Sequence, residues 1–494
     1  MLKNKNTQLS IYSLLYDKIP KNHTLKLLIE AIDFSFFNDL LEHSFNKYYG
    51  RPSIEPELMV KILILQRLYD LSDERVIAEA SLNLAYMYFL GIDPDDTLPD
   101  PSLLAKFRTT KLEEAILDDM IIELIKQCVE KNIISDTGVS IDSTHSSANT
   151  GKLFPEKVMS RLAKKIFKTA QEEEIELPDT INQEIPDTRE IKDPKEANEK
   201  MKNYLEETIS SVESIPGIEQ NTQLKEVLEN AKEIIEDPKF MEFKGVRSLV
   251  DQEARVGYKS KTDNFFGYKM EYMISTENRM ITAVRVHNGA YVDGTRFEEL
   301  LELTKKSLPS ITEVYGDKAY FKKAILDKIV EIEATPYIPV SESAYRIDEE
   351  QFSYNKDSDQ WFCAQGNQTT TKKHYKRKCG KQSYNYYFEL EKCRNCPVRD
   401  LCIPSNNTVR KVLAVGINTP EFYEYSQQQK NEEFKEKYKK RACQEWKNGE
   451  MKNFHGLNRA KGYGLKSMSI QAKLTALAVN LKRIAGILSS KAAI

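Results

Sequence analysis

Two aspartates have the clearest positional signal for chemistry: Asp142 and Asp317, each just after a short apolar segment, Val139–Ile141 and Ile311–Tyr315. Such segments read as buried strands, and a carboxylate where a strand ends either caps a turn or holds a charged ligand. A third acid, Glu445, lies in the stretch YKKRACQEWKNGEMK. There Tyr438, Arg441 and Glu445 follow at steps of three and four and Lys452 comes seven residues later, so a continuous helix puts all four on one face. That face offers a carboxylate for a metal ion and, in Arg441 and Lys452, cations for phosphates. The plain alternative is the ion pairing of any charged helix. Glu450 is a second acid on the same stretch.

Three such carboxylates suit phosphoryl transfer. Cutting and rejoining a phosphodiester needs an activated oxygen nucleophile, charge relief on the phosphoryl group and stabilisation of the leaving oxygen, and two divalent ions about 4 Å apart supply all three. Magnesium takes oxygen ligands and keeps several waters, so a few carboxylates on rigid elements hold the pair.

A second cluster is made of thiols. Five of the seven cysteines fall within Ser341–Ala414, as Cys393-x2-Cys396-x5-Cys402 with Cys363 upstream and Cys379 between. Cys363, Cys393, Cys396 and Cys402 form the expected ligand set of a structural Zn2+; with no second CxxC, reduced and partly buried thiols remain the alternative. The odd, unevenly spaced total argues against a secreted disulfide framework. Nearby, Lys372, Lys373, His374, Tyr375, Lys376, Arg377 and Lys378 mix cations with an aromatic, which suits a DNA backbone or a solvated loop equally. His145 reads as a strand-end histidine.

Positioning these groups takes several kinds of element. From Thr24 to Glu130 apolar residues recur at helical spacing, Pro56 fits the first turn of a helix over Glu57–Tyr69, and Ser72 fits the cap of a second helix. Such a pair, joined by the Asp70–Ser72 turn, fits either DNA binding or an ordinary helix bundle. The stretch 152–244 is charged, with eleven acidic residues against four basic ones in Gln171–Lys200, and reads as solvated helix or partly disordered insert. Phe265–Ile274 and Met280–Asn288 predict a hairpin. A helix over Gly294–Ser307, the strand Ile311–Tyr315, a helix near Lys322–Val330 and the strand Thr335–Val340 complete an α/β layer. Ser341–Ala414 reads as an irregular insert.

A chain of 494 residues with 40% apolar and 30% charged residues is a globular protein of two to four domains. No apolar run approaches the roughly 20 residues of a membrane span, and the first twenty residues carry no signal-peptide pattern, so the cytoplasm is the expected location. The net charge of -3 hides asymmetry: from Lys430 onward fifteen Lys or Arg face five Asp or Glu. Phosphate backbone is the natural partner of that segment.

Tyrosine, two residues, arginine, three residues, glutamate, six residues, lysine resembles the signature of a large group of insertion-sequence DDE transposases, and every interval is met. The wider stretch RACQEWKNGEMKNFHGLNRAKGYGL looks like the end of their eleven-eighty-two branch. VSIDSTHSSANT, DQEARVGYKSKTDNFFGYKMEY and EVYGDKAYF are similar to other parts of it, and RPSIEPELMVKILILQRLYDLSDERVIAEASLNLAYMYFLG to the helical domain that precedes the catalytic one. The cysteine-bearing insert is similar as well. Trp446, directly after the glutamate, departs from the smaller residues usual there.

The resemblance implies an α/β fold with a ribonuclease-H-like core, a mixed sheet with flanking helices, interrupted by inserts and preceded by an all-α domain. The expected divisions are 1–130 for the helical domain, serving DNA binding or dimerisation; 131–340 plus 415–494 for the core, with the charged insert 152–245; and 341–414 for the cysteine-rich insert. It implies Asp142, Asp317 and Glu445 as the catalytic triad on two Mg2+ or Mn2+ ions, and Tyr438, Arg441 and Lys452 as DNA contacts. The implied partners are terminal inverted repeats and target DNA, bound by a homodimer in the bacterial cytoplasm, at the nucleoid when on DNA. Two other readings stand beside cleavage and strand transfer: an inactive or domesticated DNA-binding derivative, and a zinc-stabilised scaffold with structural carboxylates.

Overall fold

The computed structural model describes residues 11–45, 54–178, 181–241, 247–260, 262–376, 380–403 and 409–492. Cys379, Arg377 and Lys378, singled out above, lie outside the described residues.

Among the described residues six strands form the central sheet: β1 (Gly138–Ser147), β2 (Arg255–Tyr258), β3 (Asn264–Ser275), β4 (Ile281–Asn288), β5 (Glu313–Tyr315) and β6 (Thr335–Tyr337). β1 is the hub: it pairs antiparallel with β3 and parallel with β5, β5 pairs parallel with β6, and β4 and β2 pair antiparallel with β3. Val139, Ile141, Val314 and Met273 on one face and Ser140, Ile274 and Tyr315 on the other are all fully buried, so both faces of the sheet are covered. The strand at Asp142 does not stop there as the sequence implied. It runs five residues further because Asp142 to Ser147 keep pairing with β3, down to Gly267. What ends near Asp142 is the other edge, where the β1–β5 ladder stops at Ser140 opposite Tyr315.

The N-terminal helices share one apolar core with the sheet. Pro56 opens the Pro56–Leu68 helix at its first turn, and the Ser72 side chain accepts from Arg75 N to cap Asp73–Ala80. Arg285 on β4 bonds Asp118 of the Glu114–Glu130 helix and Glu299 of the Phe297–Ser307 helix, tying both to one face of the sheet. The long C-terminal helix Gly464–Ala492 runs against β4, where the Asn480 side chain pairs with both backbone groups of Ile281.

Both inserts are more ordered than their composition suggests. The acidic stretch folds as helices Pro155–Glu172, Pro194–Glu213 and Thr222–Glu236 around a core of its own that includes Leu162, Leu205 and Leu228. Its charges occupy the outer faces, while Val158, Leu162 and Ile166 recur at helical spacing within. The cysteine-bearing insert is not irregular but β-rich. It contains the hairpin β7 (Phe352–Asn355) and β8 (Gln360–Cys363) and the antiparallel sheet β9 (Thr369–Lys376), β10 (Gln382–Phe388) and β11 (Val412–Gly416), packed on Trp361. Alternation of Tyr, Phe and polar residues along β10 is a half-buried strand pattern. Among the described residues no helix is long and apolar enough to cross a membrane.

Candidate active site

Asp142 and Asp317 each stand two residues beyond Ser140 and Tyr315, the last pair of the β1–β5 ladder. The separating strands open a notch there, and both carboxylates belong to it. Asp317 is held by its own turn: its Oδ1 accepts from Ala319 N at 2.8 Å, capping the short 3-10 turn Lys318–Tyr320. Asp142 Oδ1 accepts from Ser143 N at 2.8 Å. Burial pushes the Asp142 carboxyl up to about 6; Arg441 and the Ser143 amide pull it back, and the charges of Asp317 and Asp293 add to the rise. A carboxylate with that environment is short of positive charge.

The positive charge nearby is Arg441. Its Nη2 lies 3.3 Å from Asp142 Oδ2 and its Nη1 3.7 Å from Glu445 Oε1. Burial disfavours the charged guanidinium, yet Asp142, Tyr438, Asp317 and Glu445 outweigh this and hold its pKa above the ordinary value. Two of the three carboxylates, Asp142 and Glu445, thus contact one cation, and the charge of Asp317 also favours its protonated form. Its Nε is buried without a hydrogen-bond partner.

The signature residues do not share one continuous helix. Helix Glu432–Tyr438 ends at the tyrosine, a 3-10 turn spans Lys439–Arg441, and the helix of the glutamate, Ala442–Phe454, begins after it. Tyr438 still comes near the site: burial raises its hydroxyl pKa, and the charges of Arg441, Asp317, Asp142 and Glu445 all reach it. Lys452 sits elsewhere on the helix, 3.4 Å from the His145 ring. Burial, then Lys259, brings Lys452 down to about 8, and burial, then Lys452, brings His145 down to about 4. His145 is thus a neutral neighbour of that lysine. Glu450 is already committed, to Lys447 at 2.8 Å and Lys482 at 3.0 Å.

Several positioning residues escaped the sequence reading. Gln444 is fully buried and donates to Ser140 O at 2.7 Å, and Tyr272 OH donates to Asn448 Oδ1 at 2.7 Å, so the Ala442–Phe454 helix is fastened to β1 and β3 beside Asp142. Glu271 pairs across from Ser143 and is wholly buried on the opposite face of the sheet from Asp142. An acid between Met270 and Tyr272 in the YKMEYM strand was the available signal. Asp251 accepts from Gly464 N, fixing the start of the C-terminal helix, and Lys269 pairs with Asp293. Arg255 donates to the carbonyl of Ala254.

Trp446, 60% exposed, lies against Arg279 with the guanidinium 4.2 Å from the ring centre, so its size meets no packing conflict.

Cys363, Cys393, Cys396 and Cys402 line a single cavity of about 630 Å³. Burial raises the Cys402 thiol and the other three thiols add to it, while Lys411 opposes the rise. Asn367 Nδ2 donates to Cys393 Sγ at 3.1 Å. Even so, among the described residues no three His, Cys, Asp or Glu side chains are gathered closely enough to hold a metal as they stand, at either cluster.

The family comparison decides what kind of protein carries this notch. The model described as Transposase domain (DUF772) matches residues 13–110, and that described as Transposase DDE domain matches residues 362–485. The chain belongs to the DDE transposases of insertion sequences. In this transposase the DDE match takes in Glu445 and the cysteine-bearing insert from residue 362 onward, while Asp142 and Asp317 lie before it. No curated protein matches the chain. Among solved structures, the cryo-EM piggyBac transposase synaptic complex with hairpin DNA is similar at 12% identity and a TM-score of 0.31, covering 98% of this chain and 77% of that one.

Proposed function

We propose that this transposase cuts DNA at the ends of an insertion sequence and joins the freed ends to target DNA, with Asp142, Asp317 and Glu445 as its metal-binding carboxylates. The observation that carries the reading is the contact of Arg441 with both Asp142 and Glu445, beside the notch where Asp317 follows the last paired residue of β5. The strand order β4–β3–β1–β5–β6, antiparallel up to β1 and parallel after it, fits a ribonuclease-H-like core. The core comprises 131–340 and 415–494, with inserts at 152–245 and 341–414; residues 1–130 form the helical domain, for DNA binding or dimerisation. The branch is the eleven-eighty-two one.

The donor set fits two Mg2+ or Mn2+ ions: all three groups are carboxylates, and Asp142 is short of compensating charge. Bound there, the ions would polarise the phosphoryl group and stabilise the attacking and leaving oxygens. The chain's own residues set the stage. The end of the β1–β5 ladder holds Asp142 and Asp317 on rigid backbone, Gln444 and Tyr272 hold the helix of Glu445 against them, and Arg441 contacts a phosphate oxygen. Tyr438 and Lys452 contact DNA on either side. Two element ends handled together call for a homodimer, acting on chromosomal and element DNA in the cytoplasm. In the cysteine-bearing insert the four thiols around one cavity would hold a structural Zn2+ once drawn together, with Asn367 donating to Cys393 Sγ.

The test uses a plasmid carrying the gene's flanking inverted repeats. Asp142→Asn, Asp317→Asn and Glu445→Gln should each abolish Mg2+-dependent end cleavage while keeping end binding, and wild-type cleavage by any one of them removes that residue from the set.

A further inference from the structure

The sheet β9–β10–β11 covers only one of its faces. Lys372, His374, Tyr384 and Tyr386 share the side that turns toward Trp361, which is fully buried. The pairing Lys373 with Asn385, Tyr375 with Ser383 and Tyr387 with Thr371 puts those residues on the other side, since cross-strand partners share a face. On that outer face Tyr375 and Tyr387 meet through their hydroxyls at 3.0 Å. Lys373 Nζ stands 5.5 Å, and the Arg410 guanidinium 4.9 Å, from the centre of the Tyr387 ring. Tyr375 is 42% exposed, and none of the residues of β9, β10 and β11 is Asp or Glu.

We infer that this face is a binding platform for an unpaired DNA strand, with bases stacked on Tyr375 and Tyr387 and phosphates on Lys373 and Arg410. The inference rests on the reading that the protein acts on DNA. The chemistry selects the occupant. Exposed rings flanked by cations on a sheet surface recognise the flat faces of bases together with the backbone between them, and a closed duplex keeps those faces stacked inside. A chain of net charge -3 binds a polyanion only where its cations are locally unopposed, and this acid-free sheet is such a place. An acidic protein segment would satisfy the cations but leave the tyrosine pair without a partner.

The test is fluorescence anisotropy with the full chain in EDTA, where no cleavage occurs, using a labelled thymidine oligomer of about twelve nucleotides and a duplex of equal length. Tyr375→Ala and Tyr387→Ala should each weaken single-strand binding about tenfold. Tyr375→Phe should keep it, and duplex affinity should stay within twofold, about 0.4 kcal/mol, of the wild type. Removing Lys373 and Arg410 together should lower the slope of log affinity against log salt by about 0.7 per cation. Unchanged single-strand affinity in both alanine variants, or a wild type that binds only duplex, overturns the platform. Lost end cleavage with single-strand binding intact counts against the transposition reading and leaves the platform standing.

Discussion

Arg441 Nη2 reaches within 3.3 Å of Asp142 Oδ2 across 299 positions of sequence. That contact joins the 3-10 turn before the Glu445 helix to the central strand. Because the guanidinium lowers the Asp142 pKa, deleting it in Arg441→Ala should push that carboxyl above its value of about 6. A pH profile of any residual Mn2+-dependent cleavage then shifts its acid limb upward. Arg441→Lys should not restore activity, because lysine lacks the planar fork that spans two carboxylates. An acid limb in the wild-type position would show that Arg441 does not act on Asp142.

The Asp142 carboxyl titrates near 6 in the folded chain against 3.8 in the unfolded one. A raised acid binds its proton more tightly when folded, so its contribution is fully present below about 3.8 and is lost as pH rises through 6. The charged form costs on the order of 3 kcal/mol above that window. Asp142→Asn should therefore raise Tm at pH 8 and leave it unchanged near pH 3.5, with Mn2+ stabilising only the wild type, and only above about pH 6. Thermal melts of both proteins at the two pH values, with and without Mn2+, measure this. Equal Tm at pH 8 would remove the strain assigned to this carboxylate.

Glu445 and Glu450 sit five positions apart and should respond in opposite ways. The Glu445 side chain is 71% exposed and faces Arg441 at 3.7 Å, so Glu445→Gln should leave stability within about 0.5 kcal/mol and abolish cleavage. Glu450 is the partner of Lys447, whose side chain is only 3% exposed, so Glu450→Gln strands a buried charge and should cost about 3 kcal/mol. Urea titrations with parallel cleavage assays separate the two. The reverse pattern would move the third carboxylate to Glu450.

The four thiols around one cavity predict about one equivalent of zinc in the purified chain, read by metal analysis, and a thiolate-to-cobalt absorption band on Co2+ exchange. Cys396→Ser should reduce both. Stoichiometric disulfides in place of zinc would end the assignment.

Much of the framework was legible because it carries local signals. The hairpin β3–β4, the strand before Asp317 and the N-cap Ser72 follow from periodicity and capping, which depend on near neighbours. What was not legible depends on distant partners. The extension of β1 past Asp142 arises from β3, more than a hundred residues later, and no pattern within HSS announces it. The break at Lys439–Arg441 likewise escaped the helical reading, because YKKRACQE contains neither Pro nor Gly to mark it. Composition misled for the inserts: the acidic helices bury a modest apolar stripe, and the β-rich insert distributes its few buried apolar residues over four short strands and one short helix.

Glu271 shows how far positioning extends behind the notch. Its wholly buried carboxylate accepts from Gly294 N, from the partly exposed Tyr291 OH at 2.9 Å and from the buried Tyr320 OH at 3.0 Å. Burial raises its pKa, and the three donors oppose that rise without cancelling it. Tyr320 closes the turn that Asp317 caps, and Gly294 follows Asp293, so one buried acid pins both segments against the sheet. Tyr320→Phe removes one donor and should cost about 1 kcal/mol; Glu271→Ala leaves three donors unpaired, two of them buried, and should cost about 3 kcal/mol. Glu271→Gln and Tyr320→Phe act on the same bond, so their double variant should fall short of additivity by more than about 0.5 kcal/mol. Each single variant should lower kcat for end cleavage while DNA affinity holds, because the displaced group is Asp317. Strict additivity, with kcat unchanged, would reduce Glu271 to a core residue with no hold on the notch.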